Sequence, residues 1–331
     1  MKNMPTNSYK FDWSDLAFGS KKPVNTLDGI FIVASRDISA ARFKQLVKTY
    51  LPKANLIVGV AKESYVLGLE DQPQFKMLNS DDIQNIISQI NNSKSLNKVY
   101  TLAYFQRELP YILSKLKLSK VILINGSWKY AFHNLEAYYI LANQRINYEM
   151  ISPFVDETEA MKSEHVTDKE IEKLNMFSSG KFDEIEMINR VDMASRYSYD
   201  YNFQTGAVLG KRINKKDDEF EYLGFSFNKV IPYQTYAMHH GALREVNFAP
   251  PNDLNYYDTV HAEVLMMLKS IKEKIDITGT TLFINLLPCP TCARMLCETD
   301  VAEIVYRLDH SDGYGFNILK KAGKVVRRFE G

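Results

Sequence analysis

Four residues in this 331-residue chain have types and spacing that could do chemistry: His261, Glu263, Cys289 and Cys292. Zinc is bound in tetrahedral geometry by imidazole nitrogen and thiolate sulfur, and a site with only three protein ligands keeps a fourth position for water. His261, Cys289 and Cys292 are such a set, so zinc is the expected cofactor. Glu263 lies too close to His261 in sequence to be a comfortable fourth ligand, and a carboxylate beside metal-bound water is suited to general acid/base work. Two plainer readings compete. A closed structural zinc site needs a fourth ligand, and Cys297, five residues after Cys292, projects from another side of the same helix. A redox Cys-x-x-Cys has no use for the upstream His-x-Glu. Cys297 itself reads as a small buried residue on the helix face away from the metal.

These residues must be positioned by helices. Val264, Leu265, Leu268 and Ile271 recur at helical intervals, which predicts an amphipathic helix whose first turn holds His261 and Glu263. Pro290 suits the start of a second helix, with Cys289 and Cys292 on one face. Two helix N-termini would then converge on the metal, and their dipoles favour thiolate over thiol. Around them the pattern predicts a helix over 183–197 and a hairpin of strands near 206–210 and 221–225, joined by a polar turn at 214–218. Strands follow at 281–285 and 303–306, then a helix over 316–322 and a strand over 324–327. Strands separated by helices imply an α/β domain, a mixed sheet with helices on both faces.

From about residue 183 to 330 the chain resembles the cytidine deaminase superfamily, and within it most the deoxycytidylate deaminases. The resemblance rests on Val260-His261-Ala262-Glu263, on Pro288-Cys289-Pro290-Thr291-Cys292-Ala293, and on Ile304-Val305-Tyr306 followed by 316–326. The pattern H-x-E…P-C-x-x-C is a known signature of zinc-dependent nucleobase deaminases. The resemblance implies a five-stranded mixed sheet and hydrolytic removal of an exocyclic amine, dCMP to dUMP with release of ammonia. Zinc would bring the ionisation of its water toward neutrality. Glu263 would relay the proton to the ring nitrogen and then to the leaving ammonia. Backbone amides near Ala262 and Cys289 would orient the base.

The same resemblance points to substrate contacts. Deoxycytidylate deaminases usually carry Gly-Tyr-Asn-Gly after the second strand, the asparagine contacting the sugar. Here 224–229 reads Gly-Phe-Ser-Phe-Asn-Lys. Ser226 or Asn228 could take that place; Asn228 is preferred because Phe227-Asn228 keeps the aromatic-Asn order, and an ordinary turn asparagine is the competing reading. His310 falls near where the family has an aromatic residue close to the nucleotide, and is a further substrate-binding candidate. The insert 233–258 is long and polar enough to cover a substrate. It carries His239, His240 and Arg244, the two histidines reading as loop or phosphate-contacting residues.

The N-terminal half is organised differently. Apolar runs at 29–34, 55–60, 99–103 and 120–124 alternate with helical patterns over 38–50, 81–90, 109–116 and 130–142, which predicts a Rossmann-like parallel α/β domain. Ligands of such sheets bind beyond the carboxyl ends of strands, singling out Ser35-Arg36-Asp37 and Asn125-Gly126-Ser127. Neither glycine-rich phosphate motif is present, so a scaffolding, oligomerising or regulatory role is expected, with nucleotide sensing the sharper alternative. We divide the chain into a domain at 1–160, a linker at 161–180 rich in Glu, Lys and Thr and broken by Ser178-Ser179-Gly180, and the deaminase-like domain at 181–331.

Charge and composition narrow the partners. Residues 1–180 hold 22 Lys+Arg against 19 Asp+Glu, and residues 181–331 hold 19 against 21. Neither has the basic balance of a protein that tracks a polynucleotide backbone. A free cytosine nucleotide is therefore the expected substrate. Deaminases of tRNA adenosine or single-stranded nucleic acid are the chief rivals, and a riboflavin-pathway-type deaminase the other, although those usually carry the deaminase first. There is no apolar run of membrane-spanning length and no secretory leader. Three cysteines, two of them committed to zinc, leave no disulfide framework, and a cytoplasmic homo-oligomer is expected.

Overall fold

The computed structural model describes residues 16–17, 28–34, 36–173, 177–213, 219–247, 257–309 and 313–330. The chain divides into two compact units: unit 1 comprises 1–70, 75–127 and 132–155, and unit 2 comprises 71–74, 128–131 and 156–331.

Unit 1 runs β1 (Leu16–Ala17), β2 (Asp28–Ala34), α1 (Ala40–Tyr50), β3 (Leu56–Ala61), α2 (Ser80–Asn91), β4 (Val99–Tyr104), α3 (Leu109–Lys115), β5 (Lys117–Ile124), α4 (Glu136–Asn143) and β6 (Tyr148–Ile151). Its sheet has the order β1-β4-β3-β2-β5-β6, with β2 to β6 parallel and β1 antiparallel on the edge. Phe31, Ile32 and Val33 are all fully buried, as expected of a parallel strand covered on both faces. Ile30, Ile32, Val58 and Ile122 pack against Phe43 and Leu46 of α1 and Ile83 and Ile87 of α2. Gly59 permits a close approach of aromatic rings: a Cβ there would lie 2.9 Å from the Tyr104 ring and 3.0 Å from that of Phe31.

The strand ends of unit 1 are taken up by its own chain. Arg36 bridges Met77, Asp37 N–H donates to Lys76 O at 2.9 Å, and Arg36 N–H donates to Ser127 Oγ at 3.1 Å. Arg36, Asn125 and Ser127 are buried. Ser35 lies outside the described residues. The helix expected over 130–142 begins only at Glu136, after a short 3-10 turn at Phe132–Asn134.

Unit 2 contains α5 (Glu157–Lys173), β7 (Lys181–Asp183), α6 (Glu184–Ser195), β8 (Gly206–Arg212), β9 (Glu219–Phe227), β10 (Lys229–Val230), α7 (Tyr236–His240) and α8 (Leu243–Val246). It continues with β11 (Thr259–Val260), α9 (Ala262–Glu273), β12 (Thr281–Leu286), α10 (Pro290–Cys297), β13 (Glu303–Leu308), α11 (Tyr314–Lys321) and β14 (Val325–Arg328). The sheet order is β14-β13-β12-β8-β9-β7, the first three parallel and the rest antiparallel. The expected five strands are joined by a sixth, β7, on the edge.

Alternation along the strands builds two apolar layers. Val208, Phe283 and Val305 pack on one face against Met187, Ile188 and Val191 of α6. Ala207, Leu209, Leu282, Ile284 and Ile304 pack on the other against Met266 of α9, Leu296 of α10 and Leu319 of α11. Each such side chain contributes about 1.5–3 kcal/mol on burial. Gly206 lets α6 lie directly on β8, since a Cβ would sit 2.2 Å from the Val191 carbonyl oxygen.

Two expectations are corrected. Much of the presumed linker is helix α5: its Glu and Lys residues are good helix formers, and Ala160 and Ile171 give it a buried side. On α9 the buried face is Ala262, Met266, Met267 and Ser270, whereas Leu268 and Ile271 are 54% and 77% exposed. Glu263, at the first turn, is buried on the same side. The turn expected at 214–218 lies outside the described residues. Among the described residues no helix is long and apolar enough to cross a membrane.

Candidate metal centre and active site

Two short chain reversals deliver the donor atoms. β11 pairs antiparallel with β10, Lys229 opposite Val260, and ends at His261, the N-cap of α9. Ser226 Oγ donates to Ala262 O at 2.7 Å, tying the first turn of α9 to β9. β12 runs out into Leu287, whose N–H donates to Leu308 O at 2.8 Å, and Cys289 becomes the N-cap of α10 with Pro290 following. Gly315 of α11 presses on this segment, for a Cβ there would meet Pro288 O at 2.2 Å.

His261 Nδ1 lies 3.6 Å from Cys289 Sγ and 3.4 Å from Cys292 Sγ. All three donor atoms fall within 4.8 Å of one another. The electrostatics of the cluster call for a cation. A hydrogen bond from Cys292 holds Cys289 below the ordinary thiol range, with His261 assisting. Its ionisation and burial in turn push Cys292 up. Two adjacent sulfurs can both be thiolates only beside a bound metal, and one imidazole nitrogen with two sulfurs is a donor set that fits zinc. Cys297 stays outside the cluster, its Sγ 3.9 Å from Ile318 O, and is half-buried rather than fully so. His261, Cys289 and Cys292 are thus placed where they could hold such an ion, and among the described residues no fourth His, Cys, Asp or Glu joins the group.

Glu263 is 3% exposed, and burial raises its carboxyl above the ordinary range against the opposing charge of His261. It lines a pocket with His261, Cys289, Phe203, Thr205, Asn228, Tyr257 and Thr259. The Tyr257 and His261 rings meet edge-on at 5.4 Å. Asn228 is buried and fully oriented: Nδ2 donates to Phe203 O at 2.8 Å and to Asp200 Oδ2 at 3.2 Å, and Oδ1 accepts from Thr205 N at 2.8 Å. Ala262 is buried at the first position of α9, where an N–H has no intrahelical partner.

Sequence reasoning missed Asp200, Phe203, Thr205 and Tyr257. Asp200, buried and pushed up to about 6 by that burial, accepts from Asn202 N at 2.8 Å and Phe203 N at 3.1 Å. An Asx turn of this kind is legible in sequence, but nothing in its spacing ties it to Asn228. His239 and His240 stand on α7, their rings 4.5 Å apart, with His240 Nε2 3.4 Å from Tyr233 OH; neither lines the pocket. The insert expected to be a loop holds α7 and α8, and its 248–256 stretch lies outside the described residues. His310 lies outside them as well.

Residues 186–308 match the family model described as the cytidine and deoxycytidylate deaminase zinc-binding region. The deoxycytidylate deaminase of Saccharomyces cerevisiae is 32% identical over 71 residues, 21% of this chain and 22% of that protein. The deoxycytidylate deaminase of Enterobacteria phage T2 is 30% identical over 69 residues, 20% of this chain and 37% of that protein. The matches thus span well under half the length of these relatives. Among solved structures, the dCMP deaminase of cyanophage S-TIM5 in complex with dCMP and dUMP aligns with 44% of this chain and 96% of its own. Its identity is 18% and its TM-score 0.33.

Proposed function

We propose, from a C-terminal region that falls in the cytidine deaminase superfamily, that unit 2 hydrolytically deaminates a free cytosine nucleotide, dCMP to dUMP, with release of ammonia. The observation that carries this reading is the meeting of His261 Nδ1 with the Cys289 and Cys292 sulfurs, beside a pocket lined by His261, Cys289 and a buried Glu263. His261, Cys289 and Cys292 would hold the ion. Zinc bound there supplies Lewis acidity that brings the ionisation of water near neutrality.

Glu263 takes one proton from the attacking water and passes it to the ring nitrogen, then takes the remaining proton from the hydroxyl on the ring carbon and delivers it to the exocyclic nitrogen as that departs. The ring carbon gains its bond to oxygen and loses its bond to the exocyclic nitrogen, so the water oxygen stays as the carbonyl and the amine leaves as ammonia. Burial of Glu263 suits the task, because a carboxyl whose pKa is raised holds a proton closer to neutral pH. The Ala262 N–H is available to the oxygen of the base. Asn228 has both Nδ2 hydrogens engaged and one lone pair of Oδ1 remaining, which matches a sugar hydroxyl as donor. Unit 1 is assigned a scaffolding, oligomerising or regulatory role, consistent with strand ends occupied by its own backbone.

The test is ammonia release from dCMP, dCTP, cytidine, a tRNA anticodon stem and a short single-stranded oligonucleotide at one salt concentration. dCMP is expected to turn over best. Turnover of a polynucleotide with none of dCMP overturns the reading.

A further inference from the structure

The polar insert between β10 and β11 is fastened around one arginine. Glu245 of α8 is 3% exposed, and its carboxylate accepts from Tyr201 OH at 2.8 Å and from Trp128 Nε1. Tyr201 OH in turn accepts from Ala242 N at 3.1 Å, just before α8. At the other side Asp258 Oδ2 accepts from Leu243 N at 2.8 Å. A helix of one turn has little stability of its own, so these buried bonds set where its side chains go.

The residue they present is Arg244. Its guanidinium lies over the Tyr257 ring, 4.9 Å from the centroid, and over the Phe203 ring at 5.3 Å. Both rings line the pocket that holds His261, Glu263 and Cys289, and no Lys or Arg is among that pocket's lining residues. A guanidinium resting on aromatic faces keeps its N–H groups along its edges, in the fork that matches two oxygens of a phosphate. Glu263 lines the pocket with His261, and Asp200 acts with Arg244 on the Tyr257 phenol. A neutral base or nucleoside has no group that needs this cation.

We propose that Arg244 is a specificity-determining residue that reads a phosphate of the substrate, so that the pocket selects a nucleotide over its nucleoside. This rests on the deaminase reading of the pocket. The phosphate can belong to a free nucleotide or to a polynucleotide backbone, and the experiment separates the two.

Deamination of dCMP, deoxycytidine and a short cytosine-containing oligonucleotide is measured for the wild type, R244A and R244K, with zinc content and melting temperature recorded. Calorimetric binding of dUMP and deoxyuridine is measured alongside. R244A is expected to lower kcat/KM for dCMP by ~10²-fold, mainly through KM, as for loss of one partner of a desolvated charge pair. Deoxycytidine should change by less than about threefold, zinc should be retained, and R244K should fall between, because it keeps the charge without the fork. dUMP binding should weaken in step with KM while deoxyuridine binding does not. Equal losses on dCMP and deoxycytidine, or no loss on either, overturn the proposal. Loss on the oligonucleotide in an enzyme that ignores dCMP keeps the role of Arg244 and overturns the free-nucleotide reading. A wild type that deaminates nothing tested but binds dUMP through Arg244 overturns the reaction alone; one that binds neither uracil ligand overturns both. If R244A fails to fold, R244Q, which keeps most of the side-chain length, carries the same comparisons.

Discussion

Two helices of unit 1 and the two site helices of unit 2 begin differently, and the difference locates the chemistry, since α6 of unit 2, away from the site, keeps an ordinary Asp183 cap. In unit 1, α1 is capped by Ser39, whose Oγ accepts from Arg42 N, and α2 by Asn79, whose side chain accepts from Asp81 N. In unit 2, the N-cap of α9 is His261, which makes no capping hydrogen bond, and that of α10 is Cys289, whose sulfur accepts from Cys292 N at 3.4 Å. The same structural position serves stability in one unit and holds a donor atom in the other. A capping side chain is worth about 0.5–2 kcal/mol over alanine, so unit 2 gives up part of that at its site helices. Both units have parallel strands flanked by helices. Among the described residues, however, the one group of three or more His, Cys, Asp or Glu fit to hold a metal lies in unit 2. Topology offers strand ends in both; side chains at helix starts decide which becomes a site.

The largest expected effect breaks the comparison at those caps. Replacing Cys292 with Ala or His261 with Ser should remove the stoichiometric zinc and reduce activity to background, read by metal analysis of purified protein and by ammonia release. Retained zinc in either variant would sink the ligand assignment. His261→Ser also restores a capping hydroxyl. With metal stripped from both proteins, the variant should be more stable than the wild type by about 1 kcal/mol, and a less stable variant would show that His261 supports the helix in its own right.

Glu263 separates chemistry from metal binding. Glu263→Gln keeps shape and burial but cannot carry the proton, so kcat should fall by about 10²–10⁴-fold with zinc and melting temperature retained. Near-normal turnover would remove Glu263 from the mechanism. The complementary change is in unit 1: Phe31→Ala empties a fully buried position in β2 and should cost about 3–5 kcal/mol while zinc stoichiometry stays unchanged.

What was legible in the sequence follows the range of the interactions. The four residues of the candidate site were readable because each pair is set by a local turn, His261 with Glu263 and Cys289 with Cys292. The parallel strands of unit 1 were readable because burial on both faces leaves unbroken apolar runs. β6 was missed because Tyr148–Ile151 is half-buried and has no such run, and α5 because its polar composition reads equally well as a linker. The face of α9 was misread because Leu268 and Ile271 suggest a core stripe, whereas the buried side carries Glu263 and Met266. Asp200 with Asn228, and Arg244 with Phe203, join segments more than two dozen residues apart, and spacing carries no trace of them.

Asn228 is a smaller test of the same contrast. It holds Thr205, Phe203 and Asp200 in the pocket wall and has one acceptor lone pair left for substrate. Asn228→Ala should weaken the nucleotide reaction by about 1–3 kcal/mol in transition-state binding. Because the wall itself depends on it, Asn228→Asp is the sharper variant: it keeps Oδ1 as acceptor from Thr205 but loses the donations to Phe203 and Asp200. If substrate contact is through Oδ1 alone, the aspartate variant should keep more activity than the alanine one, and the reverse order would assign the loss to the wall.

The smallest effect concerns the first row of parallel strands in each sheet. Across β2, β3 and β4 of unit 1 that row is Ile30, Leu56 and Val99, all buried and apolar. In unit 2 it is Thr281, Glu303 and Val325, with a carboxylate at its centre. Burial alone would push Glu303 up, but hydrogen bonds from Arg327 Nε at 2.7 Å, Thr281 Oγ1 at 2.8 Å and Arg212 Nη2 at 3.1 Å outweigh it and hold the carboxyl below its ordinary value. A carboxylate with a depressed folded-state pKa contributes stability that is fully present above its unfolded pKa, 4.5, and is lost as the pH falls through the lower folded value. Acid should therefore weaken unit 2 through this residue while the apolar row of unit 1 stays indifferent. Glu303→Gln should cost on the order of 1 kcal/mol near neutrality and next to nothing once the wild-type carboxyl is protonated. The melting temperatures of the two proteins should accordingly converge as the pH is lowered from about 7 to 3. A constant gap across that range would mean that Glu303 contributes through shape and packing and not through its charge.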